Sequence, residues 1–257
     1  MSALLSCKEL SRRFGGLLAL DRLSFDLAEG EILGLIGPNG SGKTTFFNVL
    51  TGIYPATSGK VELAGRDLTD ERPQHVHRAG IARTFQRSRL CLSLSVFDNI
   101  MIGDHLRLDL SPWSNFFHRG ALRRQVESSF AQAQELVKIF DVALAGRMLE
   151  PIAGIPLIDR RRIEICRALI SRPRLLLLDE PSAGMTRDET RRLMDDILEV
   201  RRRFGGLTIV LIEHEMSVIE RCTDRCIVLD YGRKLCEGAY AEVAANPLVR
   251  QAYLGVS

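Results

Sequence analysis

Two kinds of hydrophobic pattern alternate along this chain. In residues 3–29 apolar and polar side chains take turns, so that Leu23, Phe25 and Leu27 fall on one side of an extended segment and Ser24 and Asp26 on the other. This predicts paired strands with one wet face. Three later runs are apolar without alternation: Ile32, Leu33, Leu35 and Ile36; the leucines of 175–178; and residues 207–212, LTIVLI. Short unbroken runs of this kind predict central parallel strands covered on both faces. Helical spacing takes over in residues 95–150, with Val96, Ile100 and Met101, then Leu122, Val126 and Phe130, then Leu136, Val137 and Phe140. The stretch 111–117, SPWSNFF, interrupts it, and Trp113, Phe116 and Phe117 serve either as core or as a seat for a partner helix. The pattern predicts a helical subdomain, roughly 90–170, inserted into a sheet domain. Smaller elements are a helix over 45–52, a strand over 60–63, a helix around His75, Val76, Arg78 and Ala79 closed by Gly80, and a strand over 81–85 ending at Gln86. Strands over 225–230 and 234–237 flank Tyr231-Gly232, and a short helix over 246–254 begins near Pro247.

Residues 31–45, EILGLIGPNGSGKTT, join one buried strand to a helix through a loop with the spacing G-x-x-x-x-G-K-[ST]. Gly37, Pro38, Asn39, Gly40, Ser41 and Gly42 let the backbone curl around an anion with its N–H groups pointing inward. Lys43 supplies a point charge for β- and γ-phosphates, Thr44 a hydroxyl for Mg²⁺, and Thr45 continues a helix whose positive end faces the same ligand. This reads as a nucleoside triphosphate site. The second leucine run ends in Asp179 and Glu180, at the strand terminus where ligands bind in parallel sheets. Asp179 is placed to anchor Mg²⁺ and Glu180 to take a proton from attacking water. The third run ends in Glu213-His214-Glu215, so His214 reaches for the γ-phosphate from the same sheet edge. Gln86 can ligand Mg²⁺ or hold a water. Phe14, just before Gly15-Gly16, either stacks on a nucleobase or plugs the sheet edge, and the residues alone leave both open.

Composition narrows the partners. The chain has 257 residues, enough for one large α/β domain over 1–257, and 26% charged residues, ordinary for a globular protein. A net charge of +3 is too small to argue for nucleic acid. The arginine runs 160–162 and 201–203 read as solvated helix faces. Six scattered cysteines, with Cys222 and Cys226 at a helical spacing but no completing pair, read as reduced thiols and not as a zinc site. Neither a leader-like run nor a stretch of about 20 apolar residues occurs, so another chain would have to hold this one at a membrane.

Taken in this order, loop, glutamine, LLLLDEP and strand-terminal histidine resemble the ATP-binding cassette family, the nucleotide-binding subunits of ABC transporters, over residues 5–254. The resemblance implies a P-loop NTPase core with a parallel central sheet, an antiparallel β subdomain and an inserted α-helical subdomain. It implies ATP and Mg²⁺ as ligands, with Phe14 stacking on adenine, residues 37–45 as Walker A and Gln86 as the Q-loop residue. Asp179 and Glu180 would then be the Walker B pair and His214 the switch histidine. The segments RRFGGLLALDRLSFDL, GIARTFQ, LIEHEM and VRQAYLG further resemble ATPase subunits of branched-chain amino-acid importers. The implied partners are a second cassette ATPase (another chain or a second copy), two membrane permeases and a periplasmic or extracellular solute-binding protein, with no nucleic acid. The implied location is the cytoplasmic face of the inner membrane.

One segment departs from the family pattern. Where the family signature Leu-Ser-Gly-Gly-Gln is expected, counting back from Cys166-Arg167-Ala168-Leu169, this chain has Ile155-Pro156-Leu157-Ile158-Asp159. In the family that serine and glycine contact the γ-phosphate of ATP on the opposite subunit. Pro156 has neither hydroxyl nor N–H, Ile158 is branched where backbone should approach phosphate, and Asp159 adds a negative charge. Thr186 also stands where an aspartate usually follows Walker B. Three functions stay in view: a hydrolysing importer subunit, a subunit that clamps ATP and regulates with little hydrolysis, and a soluble cassette acting on ribosomes or DNA. The last would carry tandem cassettes or a long coiled-coil insertion, and neither is present.

Overall fold

The computed structural model describes residues 3–105 and 119–254. The aromatic residues Trp113, Phe116 and Phe117 lie outside them. The chain divides into two compact units, Met1–Arg83 with Arg174–Pro181 and Arg201–Ser257, and Thr84–Pro173 with Ser182–Val200.

The first unit carries all ten described strands: β1 Ala3–Phe14, β2 Leu17–Ala28, β3 Ile32–Ile36, β4 Ser58–Leu63, β5 Arg66–Asp67, β6 Ile81–Arg83, β7 Leu175–Asp179, β8 Thr208–Ile212, β9 Arg225–Asp230 and β10 Arg233–Gly238. Four form an antiparallel sheet in the order β2-β1-β4-β5, and six form a second sheet ordered β10-β9-β3-β8-β7-β6. In the second sheet β9, β3, β8, β7 and β6 run parallel, and only the edge strand β10 is antiparallel. The unbroken apolar runs explain the centre: every residue of β3, β7 and β8 is buried. The alternating pattern explains the other sheet, where Leu23, Phe25 and Leu27 of β2 are buried and Asp26 is exposed. Leu5, Leu10, Phe46, Phe47, Leu177, Val210 and Ile227 join both sheets and the helix Lys43–Leu50 in one apolar cluster.

Boundaries shift where local chemistry overrides periodicity. The first helix starts at Lys43, two residues before the predicted 45, because Gly42 takes φ +107 as its N-cap. It ends with Thr51 Oγ1 donating to the Phe47 carbonyl at 2.6 Å. Strand β6 stops at Arg83, short of Phe85, since its pairing with β7 covers only Ile81, Ala82 and Arg83. Beyond it the Phe85 ring is covered by the Arg89 guanidinium, 3.8 Å from its centroid.

The second unit is helical, with helices Val96–Met101, Arg119–Phe140, Val142–Ala145 and Leu157–Leu169, and most of Arg187–Arg203. Ser95 and Asp98 form a capping box at the start of the first of these, and Thr186 and Glu189 exchange the same pair of bonds before Arg187. Gly103 permits a close crossing: a Cβ there would lie 1.8 Å from the Arg167 carbonyl oxygen.

The arginine run 160–162 corrects the expectation of a solvated face. Arg161 and Arg162 are buried. Arg162 reaches Asp141 at 3.1 Å, Asp159 at 3.0 Å and Asp196 at 2.9 Å, and Arg161 pairs with Glu164 at 2.9 Å. Arg201 likewise turns inward to the Gly30 carbonyl and Asp224. The arginines sit at the polar boundary of apolar helix faces, where each carboxylate offsets their desolvation. Cys222 ends the helix Met216–Cys222 and Cys226 lies on β9, so their four-residue spacing is not that of one helix. Burial pushes the thiols of Cys7, Cys166 and Cys226 above their ordinary range, which keeps them protonated and unreactive. Among the described residues no helix is long and apolar enough to cross a membrane.

Candidate functional site

The loop from Gly37 to Gly42 leaves the carboxyl end of β3 and curls back on itself before the helix at Lys43. Two of its glycines, Gly37 and Gly42, are sterically required. A Cβ on Gly37, at φ +147, would stand 2.1 Å from the Leu229 carbonyl oxygen, and one on Gly42 2.6 Å from that of Ala19. The Lys43 ammonium is buried and donates to the carbonyls of Gly37 at 2.7 Å and Pro38 at 3.0 Å. Burial lowers its pKa below the usual lysine range, and the carboxylates of Glu180 and Asp179 oppose that shift. The three side chains therefore share one electrostatic neighbourhood. Thr44, on the first turn, is exposed.

Strands β7 and β8 run side by side with Asp179 opposite Ile212. This register places Glu180 and His214 at the same sheet edge, where His214 Nε2 lies 2.7 Å from Glu180 Oε1. Glu180 takes φ +48, rare for a residue with a Cβ, and its N–H is held by the Ile212 carbonyl at 2.9 Å. Asp179 is buried, and its Oδ2 accepts from Arg83 at 2.6 Å.

A cavity of about 340 Å³ gathers Phe14, residues 39–45 and Glu180, together with Leu17, Ala19 and Tyr231. Its size lies in the range of small-molecule sites. The Phe14 ring is 36% exposed, edge-on to Tyr54 at 5.2 Å and 4.5 Å from the Arg12 guanidinium carbon. It is therefore a braced wall of the cavity and not a sealed plug.

The residues fit a triphosphate. The loop has the glycine spacing of an anion cradle, a Cβ at Gly37 would press to 2.8 Å from the Ser41 Oγ, and that buried hydroxyl has no hydrogen-bond partner among the described residues. Magnesium fits too, on chemical grounds. Among the described residues no group of three or more His, Cys, Asp or Glu side chains could hold a metal. Mg²⁺ does not need such a cage, since it usually binds one or two protein oxygens, waters and substrate phosphates.

Gln86 belongs to the second unit, where its backbone carbonyl accepts from Arg161 at 3.1 Å. In that unit the segment from Ile155 to Asp159 enters the helix Leu157–Leu169 with Pro156 as N-cap and no side-chain cap. The Asp159 carboxylate is engaged by Arg162.

Sequence reasoning missed Arg83, Tyr231 and Leu17. Tyr231 is 85% exposed at φ +42 on the cavity rim, and an exposed aromatic in a tight turn was its one available signal. Arg83 lay hidden inside the strand GIAR, where only its oddity as a charge in an apolar run marked it.

A glycine-cradled anion site at the carboxyl ends of parallel strands, with a lysine, a strand-terminal Asp-Glu pair and a histidine, defines a phosphate-loop nucleotide-binding protein. The family model described as ABC transporter matches residues 20–183, and a second, described as branched-chain amino acid ATP-binding cassette transporter, matches 233–257. The chain belongs to the ABC transporter family. It is 40% identical over 254 residues, 98% of either chain, to the high-affinity branched-chain amino acid transport ATP-binding protein LivG of Salmonella typhimurium. It is 34% identical, over 98% of either chain, to the corresponding protein BraF of Pseudomonas aeruginosa. Among solved structures, the ADP conformation of an ATP-binding cassette of an ABC transporter superposes with a TM-score of 0.84 at 27% identity, covering 99% of this chain and 100% of that one.

Proposed function

We propose that this chain is the ATP-binding and ATP-hydrolysing subunit of an importer for branched-chain amino acids or related small organic solutes. The observation that carries the reading is the contact between Glu180 and His214 at the rim of the cavity that also holds Lys43. The names of relatives spanning 98% of the chain support the transport assignment. In this reading residues 37–45 hold the phosphates and Phe14 the base. Glu180 accepts a proton from water as the water oxygen bonds to the γ-phosphorus, and the bond to the β–γ bridging oxygen breaks to leave ADP and phosphate. His214 holds the Glu180 carboxylate in place. Thr44 and Asp179 would hold Mg²⁺, which neutralises developing phosphate charge when bound. Gln86 as a further oxygen ligand and stabiliser rests on motif order alone.

The whole chain then works as one cassette, with the helical unit as its insertion. Its partners are a second cassette ATPase, two permeases and a solute-binding protein, on the cytoplasmic face of the membrane. The segment Ile155 to Asp159 offers no hydroxyl, and its carboxylate is tied to Arg162. This favours a heterodimer in which this chain's phosphate loop meets an intact signature on the partner, while the partner's loop meets this altered one. The same observation supports a second reading, an ATP-clamping regulatory subunit with little hydrolysis. Phosphate release by the assembled complex separates the two. Changing Glu180→Gln should abolish most turnover, and the matching change in the partner should cost far less. Equal losses would refute the asymmetry, and no phosphate release at all would select the regulatory reading.

A further inference from the structure

Phe14 is the last residue of β1, and the turn after it is open: a Cβ on Gly15 or Gly16 would meet nothing within 4 Å. A ring in such a place turns freely unless something holds it. Arg12 does so. Its guanidinium carbon lies over the Phe14 ring, 4.5 Å from the centroid, and over the Tyr54 ring at 5.6 Å, both within the reach of a cation–π contact. The Tyr54 ring meets Phe14 edge-on, at 80° between their planes. Arg12 Nη1 donates to the Pro55 carbonyl at 2.9 Å, while its buried Nε has no hydrogen-bond partner among the described residues. The guanidinium thus sits where it serves two rings, at the expense of one N–H left unsatisfied.

This placement leaves Phe14 one open face. Phe14 lines the cavity of about 340 Å³, and neither Arg12 nor Tyr54 is among the residues that line it, so the guanidinium backs the ring from outside. We propose that Arg12 is a positioning residue that fixes the Phe14 ring with its cavity face ready for a flat base, and so sets how strongly the site prefers a nucleoside triphosphate to a bare triphosphate. This rests on the reading of Phe14 as the base holder. The physical basis is preorganisation. Binding that must also immobilise a free side chain loses about two- to tenfold in affinity, and a ring already pinned by a guanidinium and a second ring escapes that loss. The gain falls only on ligands that carry a base. Attraction between the guanidinium and phosphate would favour both kinds of ligand alike, and it cancels in the ratio of their affinities.

The test is calorimetric titration of the full-length chain, in Mg²⁺, with a non-hydrolysable ATP analogue and separately with inorganic tripolyphosphate. Arg12→Ala should bind the analogue about two- to tenfold more weakly and tripolyphosphate as tightly as wild type. Arg12→Lys, which keeps the charge but not the planar guanidinium, should fall between. Circular dichroism melts of the same samples establish that each variant is folded, and if Arg12→Ala does not fold, Arg12→Lys carries the test. A ratio of the two affinities no lower than wild type's would overturn the inference, whether neither ligand weakens or both do. That is the result expected of an arginine that only ties β1 to Pro55 or only attracts phosphate, even if the variants melt earlier. Phe14→Ala separates the two levels. If it lowers the ratio while Arg12→Ala does not, only the inference about Arg12 fails. If it leaves the ratio unchanged, the reading of Phe14 as base holder fails, and the inference with it. Because Arg12 acts through Phe14, adding Arg12→Ala to Phe14→Ala should lower the ratio no further, and a second, independent drop would overturn the inference as well.

Discussion

His214 Nε2 and Glu180 Oε1 are 2.7 Å apart although 34 residues separate them in the chain. Neither residue can reach the other unless β7 and β8 are parallel neighbours in this register, so the contact reports the sheet and the chemistry together. If Glu180 is the base and His214 its holder, they act as a unit. Glu180→Gln should lower turnover by about 10²–10⁴-fold with ATP binding retained. His214→Ala should lower it too, and the double variant should be little worse than Glu180→Gln alone. Phosphate-release assays on all three decide it. Multiplicative losses would mean that the two residues serve separate steps.

Tyr253 gives a pH-dependent test on the opposite side of the phosphate loop. Its ring is partly exposed, but burial of the phenol pushes its pKa up to about 12. The folded state therefore holds the phenolic proton more tightly than the unfolded chain, whose value is 10.0. The stability this contributes is complete below pH 10 and is lost as pH climbs towards 12. Melting curves of Tyr253→Phe should lack that alkaline loss, so the gap between wild type and variant should close over this window.

The parts of this molecule that were legible in advance are those governed by short-range rules. The apolar runs of β3, β7 and β8 could only be buried strands, and the spacing from Gly37 to Thr44 could only be a loop before a helix. What stayed hidden depends on partners far away in sequence. Arg83 finds Asp179 across 96 residues, and Arg162 finds Asp196 across 34. A charge run looks the same whether water or three carboxylates surround it, so reading 160–162 as solvated was the natural error. The edge strand β10 was foreseen as a strand, but its antiparallel direction depends on the tight turn at Tyr231-Gly232.

Arg162 is the residue whose loss should unsettle the helical unit most. It holds Asp141, Asp159 and Asp196 while itself only 10% exposed at the side chain. Arg162→Ala would leave three carboxylates facing one another and should cost about 3 kcal/mol, the lower end for a broken buried pair because Asp141 still reaches water. Arg162→Lys should recover part of this, since one ammonium cannot serve three partners arranged around a planar fork. Urea denaturation gives the difference directly. A loss below about 0.5 kcal/mol would place these ion pairs with ordinary surface pairs.

Pro156 and Ile158 offer the most direct test of the altered segment, because changes in stability and in function should part company there. Pro156 is the N-cap of the helix Leu157–Leu169 and supplies no side-chain bond to it. Pro156→Ser would add a cap worth about 0.5–2 kcal/mol. It would also release the unfolded chain from proline's restriction, at about 0.4–1 kcal/mol. The two nearly cancel. Ile158→Gly should cost about 0.5–1 kcal/mol for glycine in a helix. The double variant should therefore melt within a few degrees of wild type. Yet it would restore a hydroxyl and an unhindered backbone at the helix entrance, where phosphate binds well. In the assembled complex with Glu180→Gln silencing this chain's own site, the double variant should raise residual phosphate release from the partner's site. If release stays at the Glu180→Gln level while the double variant remains folded and assembled, the altered segment is not what limits that second site.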